Sequence, residues 1–194
     1  MKARSIQVAL VAVALAAVPC TSALAAEKKA DKPMAHPKPA PEIAKLKFFD
    51  GSWSCSGEGV MEPGGPAVKM TSSVKSHSDL GGFWQSGMVK GGPTGAPPFE
   101  GMFHMTWDPA AKQYLMLWVD SMGGWSQMRS SGWEGDKIVF NGDTQMGTMK
   151  MRARDTFTRR GASAMTHLGE GEVGGKWTKM LDETCRKGGG AAAR

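Results

Sequence analysis

The chain has 194 residues, a formal net charge of +6 and a hydrophobic content of 41%. Its basic residues are scattered among acidic ones, and no basic cluster is interleaved with aromatic side chains, which excludes a nucleic-acid-binding stripe. The one long apolar run lies at the N-terminus and is too short to span a membrane. We therefore expect no nucleic-acid partner and no transmembrane segment.

Residues 1–25 are predicted to form a secretory signal peptide. Lys2 and Arg4 give the basic start, an apolar core follows, and the segment ends in an A-x-A cleavage pattern, cut after Ala25. The protein is therefore expected to be exported, either to a periplasm or outside the cell. Residues 26–40 contain three prolines and four lysines with little apolar mass, which predicts a disordered tether.

Residues 41–186 are predicted to form one domain, and residues 187–194 a flexible tail rich in Gly and Ala. The domain opens with a short helix from Pro41 to Asp50. Proline suits the first helical turn, and Ile43, Leu46 and Phe49 follow at helical spacing.

Everything after the helix has the pattern of short strands separated by Gly, Pro, Asn and Asp turns. The predicted strands are 52–61, 67–77, 83–90, 99–107, 113–120, 124–133, 137–141, 149–158, 163–172 and 176–185. Regular hairpin spacing without crossover helices favours an all-β fold. We predict a single up-and-down antiparallel β-barrel of about ten strands, with the helix across one end.

Two cysteines remain after the predicted cleavage, Cys55 and Cys185. An even number of cysteines in an exported protein favours a disulfide. The two lie in the first and last predicted strands, which are neighbours in a closed barrel, so we expect them to be bonded.

An ordered series of motifs supports a family resemblance. Its pieces are Phe49-x-Gly51-x-Trp53-x-Cys55-x-Gly57, Leu80-Gly81-Gly82-Phe83, Pro98-Phe99-Glu100-Gly101, Trp107-Asp108-Pro109 and Trp118-Val119-Asp120-Ser121-Met122-Gly123. The series resembles the DUF1579 family of bacterial proteins, and its start resembles the calycin group of lipocalins, fatty-acid-binding proteins and nitrobindin-like haem proteins. The resemblance implies that Trp53 closes the narrow end of the barrel over a late basic residue, Arg152 or Arg154.

Alternating apolar positions on separate strands predict the lining of a cavity. The candidates are Phe103, Met105, Tyr114, Met116, Trp118, Arg129, Met151, Met165 and His167. Among them Arg129 and Tyr114 are expected to act as polar anchors for a ligand.

The predicted function is that of an exported carrier or sensor of a small hydrophobic molecule. No cofactor is predicted, and the histidines have no metal-binding spacing, so no metal site is expected either. Two alternatives stay open. One is a haem-binding barrel resembling nitrobindin, with His167 as the ligand. The other is an enzyme that uses the cavity, although the chain has no catalytic motif such as G-x-S-x-G.

Overall fold

A computed structural model describes residues 36–97 and 99–188 of the chain. The predicted signal peptide, residues 26–35 of the predicted tether and residues 189–194 of the predicted tail lie outside this described part. These segments therefore stay predictions. Over the described ranges, the structure contains no helix with the length and apolar character needed to cross a membrane.

The predicted N-terminal helix is present, and it is a 3₁₀ helix over Pro41–Phe49, here called the plug helix. A 3₁₀ helix has three residues per turn, so residues spaced by three share one face. Ile43, Leu46 and Phe49 have this spacing, and all three are buried. This face packs against the barrel, where the helix contacts the second, third and fourth strands.

Eleven strands follow in the described part of the chain. They are β1 Gly51–Val60, β2 Ala67–Asp79, β3 Trp84–Pro93, β4 Phe99–Asp108, β5 Gln113–Asp120, β6 Trp125–Ser130, β7 Trp133–Glu134, β8 Lys137–Met146, β9 Met149–Arg159, β10 Ala164–Val173 and β11 Lys176–Lys187. A short 3₁₀ turn, Leu80–Gly82, connects β2 to β3.

The strands close into an up-and-down antiparallel barrel, as predicted. Consecutive strands pair with each other within β1–β6 and within β8–β11. The circle is completed where β1 pairs with β11 and β6 pairs with β8, which gives ten strands in the wall. The short β7 pairs with the start of β8. The closed circle leaves no long edge unpaired in the wall.

Two predicted strand boundaries are wrong. The predicted strand 124–133 is interrupted after Ser130, because Gly132 has a φ of +114°, a value that breaks an extended strand. The predicted strand 137–141 is too short, since β8 continues to Met146. Asn141, Gly142 and Asp143 are typical turn residues, but here they pair with β6 on one side and β9 on the other.

The predicted disulfide between Cys55 and Cys185 is confirmed. The two residues face each other directly across β1 and β11, with their Cα atoms 4.0 Å apart. The bond closes a loop with a sequence separation of 130. A disulfide of this kind indicates an oxidising environment outside the cytoplasm.

Candidate functional site

The plug helix closes the end of the barrel at which β1 begins and β11 ends, here called the closed end. Trp53 is buried beneath the helix, and its indole nitrogen donates a hydrogen bond of 2.8 Å to the carbonyl oxygen of Phe49. From across the barrel, the hydroxyl of Tyr114 donates a bond of 3.0 Å to the carbonyl oxygen of Glu42. Without these bonds, the buried polar atoms would have no hydrogen-bond partner. The two bonds therefore fix the helix in place.

Two cations lie over aromatic rings at the closed end. The ammonium of Lys187 is 4.8 Å from the ring centroid of Trp53. The guanidinium of Arg159 is 3.5 Å from the ring centroid of Trp133 and 4.7 Å from that of Phe48. Burial lowers the pKa of Arg159 below its usual range. Neither cation forms an ion pair within the described part of the chain.

The basic partner of Trp53 is therefore Lys187, and the expected partners Arg152 and Arg154 lie elsewhere. Arg152 is exposed and 3.7 Å from Asp143. Arg154 is 2.7 Å from Glu170 and stacks on the ring of Trp177. On β9 the odd-numbered residues point inward, so the two even-numbered arginines lie on the outer surface.

Above the closed end the barrel encloses a cavity of about 340 Å³. Its wall is mainly apolar, with a few hydroxyl and acidic side chains. Seven of the predicted residues line it, namely Phe103, Met105, Met116, Trp118, Met151, Met165 and His167.

Tyr114 and Arg129 do not line the cavity. The hydroxyl of Tyr114 is used by the plug helix, as described above. Arg129 binds Asp108 on the outer surface, with 2.9 Å between the nitrogen and the oxygen. Its neighbour Met128 lines the cavity. Because neighbouring residues on a strand point to opposite faces, Arg129 must point outward. The expected role of Arg129 as an anchor inside the barrel is wrong.

Two glycines in the wall leave room for aromatic rings of the cavity lining. The ring of Trp118 covers Gly101, and the ring of Phe103 covers Gly87, so closely that a Cβ atom at either glycine would overlap the ring. Both rings line the cavity, and each reaches over the neighbouring strand at a position that has no side chain. Glycine is the residue that allows this close approach.

The cavity wall contains a group of ionisable side chains that we call the His167 cluster, formed by Asp155, His167 and Glu183. The Nε2 atom of His167 is 3.0 Å from Oδ1 of Asp155, and the Nδ1 atom is 3.1 Å from Oε1 of Glu183. The imidazole also stacks on Phe157, with 4.3 Å between the ring centroids. All three members of the cluster line the cavity.

Strand pairing brings the cluster together. His167 lies on β10, directly opposite Glu183 on β11. Asp155 lies on β9 opposite Gly169, where a Cβ atom would be only 3.2 Å from the Oδ1 atom of Asp155. The absence of a side chain at Gly169 leaves room for the carboxylate to lean toward the imidazole.

The two carboxylates keep His167 protonated. Burial alone lowers the pKa of an imidazole, but the hydrogen bonds to Asp155 and Glu183 outweigh it and raise the pKa of His167 from 6.5 to about 10. A general base for chemistry at neutral pH needs a pKa near 7, so His167 does not meet that requirement.

The same hydrogen bonds bear on metal and haem ligation. A histidine that binds haem iron offers a free ring nitrogen, and both nitrogens of His167 are already bonded. The residues present therefore do not fit a haem site at His167, the alternative that the resemblance to nitrobindin-like proteins left open. Cys55, Cys185 and Glu183 also place their possible ligand atoms within 4.8 Å of one another. Because the two sulfurs are joined in a disulfide, neither is a thiolate that could bind a metal.

Sequence reasoning missed Asp155 and Glu183, although a signal for both was present. On β9, Asp155 interrupts an inward series of Met151, Ala153 and Phe157. On β11, Glu183 lies between Leu181 and Cys185, which also line the cavity. A single acidic residue at an inward position of an otherwise apolar series indicates a polar group inside the barrel.

These features define a class of protein, a closed ten-strand antiparallel barrel with a plugged end, an interstrand disulfide and a mainly apolar cavity. The chain belongs to the family described as "Protein of unknown function (DUF1579)", whose family model matches residues 38–187. No curated protein matches the chain.

The crystal structure of Rv2717c from M. tuberculosis is similar to this barrel, with a TM-score of 0.61 and 14% sequence identity. The alignment covers 77% of this chain and 99% of that chain. At this level of identity the likeness supports the barrel fold alone.

Proposed function

We propose that the protein is an exported carrier or sensor that holds one small, largely apolar molecule inside the barrel. The observation that carries the proposal is the cavity of about 340 Å³ with its wall of methionines and aromatic rings. Pockets of about this size and character are typical of small-molecule sites. Methionine side chains adapt to ligands of different shape, which suits a carrier of modest selectivity.

The location of the protein in a periplasm or outside the cell is part of the same proposal. It is supported by the disulfide between Cys55 and Cys185 and by the predicted signal peptide. Membership of the calycin group, implied by the motif at Gly51 and Trp53, is also proposed here.

Binding of the neutral, apolar dye Nile red tests the proposal, with its fluorescence as the readout. Ala153 lines the cavity, so Ala153→Phe should fill part of it and weaken binding roughly tenfold or more. Thr156→Phe is the matched control, because Thr156 pairs with Leu168 and Val139 on the outer face of the same strand. If the wild-type protein binds neither Nile red nor any other small apolar molecule, or if both variants bind Nile red equally well, the proposed cavity function is wrong.

The native ligand can be sought directly. Mass spectrometry under native conditions, on protein purified from its own cell envelope, should show a mass above that of the disulfide-bonded chain. The extra mass should disappear on denaturation. A smaller fraction of the Ala153→Phe protein should carry it.

A further inference from the structure

The His167 cluster has hydrogen-bonding capacity that the protein does not use. Oδ1 of Asp155 and Oε1 of Glu183 accept hydrogen bonds from the imidazole. Within the described residues, no hydrogen bond reaches the second oxygen of either carboxylate. The side chains of Asp155 and Glu183 are 22% and 10% exposed, and both line the cavity. Two acceptor oxygens are therefore left for a molecule in the lumen.

The cluster also has a net negative charge. Two carboxylates and one imidazolium add up to one negative charge. Moving the proton from the imidazole to a carboxylate would leave this sum unchanged. Glu170 also borders the cavity, but it is paired with Arg154 on the outer face of the wall, where the two side chains are 2.7 Å apart. The described lining contains no lysine or arginine. An unpaired charge in an apolar surrounding is costly, so the lumen favours a ligand that supplies a positive charge.

The two cations of the closed end do not compensate the negative charge of the His167 cluster. Arg159 and Lys187 are each four residues beyond Asp155 and Glu183 on the same strands, about 13 Å further along the wall. Both lie over aromatic rings, and neither lines the cavity.

From these contacts we infer that the cavity binds an apolar molecule carrying a protonated amine. The inference rests on the proposed function and names its ligand class. The ammonium group would donate hydrogen bonds to the free oxygens of Asp155 and Glu183, and the apolar part would lie against the methionines and aromatic rings. An alcohol could donate to the same oxygens, but only the ammonium also compensates the negative charge of the cluster, which makes the amine the preferred partner.

A ligand carboxylate is disfavoured at the same place. It would meet two carboxylates, and both N–H groups of His167 are already donated to Asp155 and Glu183. No guanidinium or ammonium in the described lining could bind it instead. Like charges in a cavity of low polarity repel strongly.

Three ligands that differ only in the polar group test the inference, namely phenylbutylamine, phenylbutanol and phenylbutyrate. Their affinities for the wild-type protein are measured by isothermal titration calorimetry at neutral pH. The amine should bind about tenfold tighter than the alcohol, because it alone supplies a positive charge, and the carboxylate should bind weakest.

The double variant Asp155→Asn with Glu183→Gln keeps the shape of the cluster and removes its charge. It should bind the amine no better than the alcohol, with the affinity for the alcohol nearly unchanged. The matched control is Asp143→Asn with Asp182→Asn, two acidic residues on the outer surface that pair with Arg152 and Lys179. This control should keep the full preference for the amine.

The outcomes separate the two proposals. If Nile red binds but the amine binds no tighter than the alcohol, the cavity function stands and the inference is wrong. The inference is also wrong if the wild type prefers phenylbutyrate, or if the control variant loses the amine preference as fully as the cluster variant does. If neither Nile red nor any of the three ligands binds, the proposed function itself is wrong. The wild-type ranking decides the question even where the double variant does not fold.

Discussion

The closed end and the His167 cluster each take one charged residue from β9 and one from β11, but the closed end holds cations and the cluster holds carboxylates. On β9, Arg159 lies at the closed end and Asp155 in the cavity wall. On β11, Lys187 and Glu183 occupy the same two levels. The cations lie over aromatic rings, whereas each carboxylate keeps one oxygen without a partner in the described residues.

This comparison separates residues that hold the barrel from residues that serve a ligand. A cation over a ring gains about 0.5–2 kcal/mol and leaves little for an incoming molecule. A carboxylate with a free oxygen beside a cavity is costly for folding and useful for binding. Substitutions at the closed end should therefore change mainly stability, and substitutions in the His167 cluster should change mainly ligand selectivity.

The largest expected effect is on the closed end. Trp53 is 1% exposed, and Trp53→Ala would leave a cavity beneath the plug helix. We expect the free energy of unfolding to fall by about 3–5 kcal/mol, measured by urea denaturation. Trp177→Ala is the control, since Trp177 is 39% exposed, and its cost should be about 1 kcal/mol or less. Equal losses in the two variants would contradict the role of Trp53 in closing the barrel.

The next effect concerns the disulfide that lies between the two regions. Replacing Cys55 and Cys185 together by alanine should lower the free energy of unfolding by roughly 2–5 kcal/mol, because the unfolded chain regains the freedom of a long loop. Denaturation of the wild type with and without a thiol reductant should show a shift of the same size. Insensitivity to both changes would mean that strand pairing alone closes the barrel.

The His167 cluster should make stability depend on pH. Because the pKa of His167 rises from 6.5 to about 10 on folding, the folded state holds this proton more tightly than the unfolded state. The extra stability is complete below about pH 6.5 and is lost as the pH rises through 10, by an amount on the order of a few kcal/mol. The effect is isolated by measuring the free energy of unfolding against pH for the wild type and for His167→Gln. If the two curves run parallel between pH 6.5 and 10, the prediction is wrong.

The smallest expected effect is that of one cation at the closed end. Lys187→Met keeps most of the side-chain volume and removes the charge over Trp53, so the free energy of unfolding should fall by about 1 kcal/mol. The preference of the cavity for an amine should not change. Lys179→Met, at an exposed ion pair, should cost less. A changed amine preference in Lys187→Met would remove the distinction between the two regions.

Much of the fold could be predicted because its signals are local. Turn residues separate the strands, and the spacing of Ile43, Leu46 and Phe49 marks the plug helix. The break at Gly132 and the extension of β8 were missed, because a turn residue gives the same local signal whether it bends the chain or sits in a paired strand. Most of the predicted cavity residues do line the cavity, since large apolar side chains prefer the interior whichever face they occupy.

The charged residues were the part of the site that sequence could not place. Arg129, Arg152 and Arg154 alternate with apolar neighbours, and alternation shows that two faces exist without showing which one points inward. The structure puts these arginines outside and puts Asp155 and Glu183 inside. An ion pair across strands depends on register, which is set by distant residues along the chain.

Local patterns in the sequence were enough to specify a barrel of short antiparallel strands, with a helix before them and two cysteines on strands that meet. These features follow from local conformational preferences and from the side-chain period of two. The folded barrel was needed to show that His167 lies between Asp155 and Glu183 and that Lys187 covers Trp53. Such contacts require closure of the barrel and a particular register, and both are cooperative properties of the whole wall.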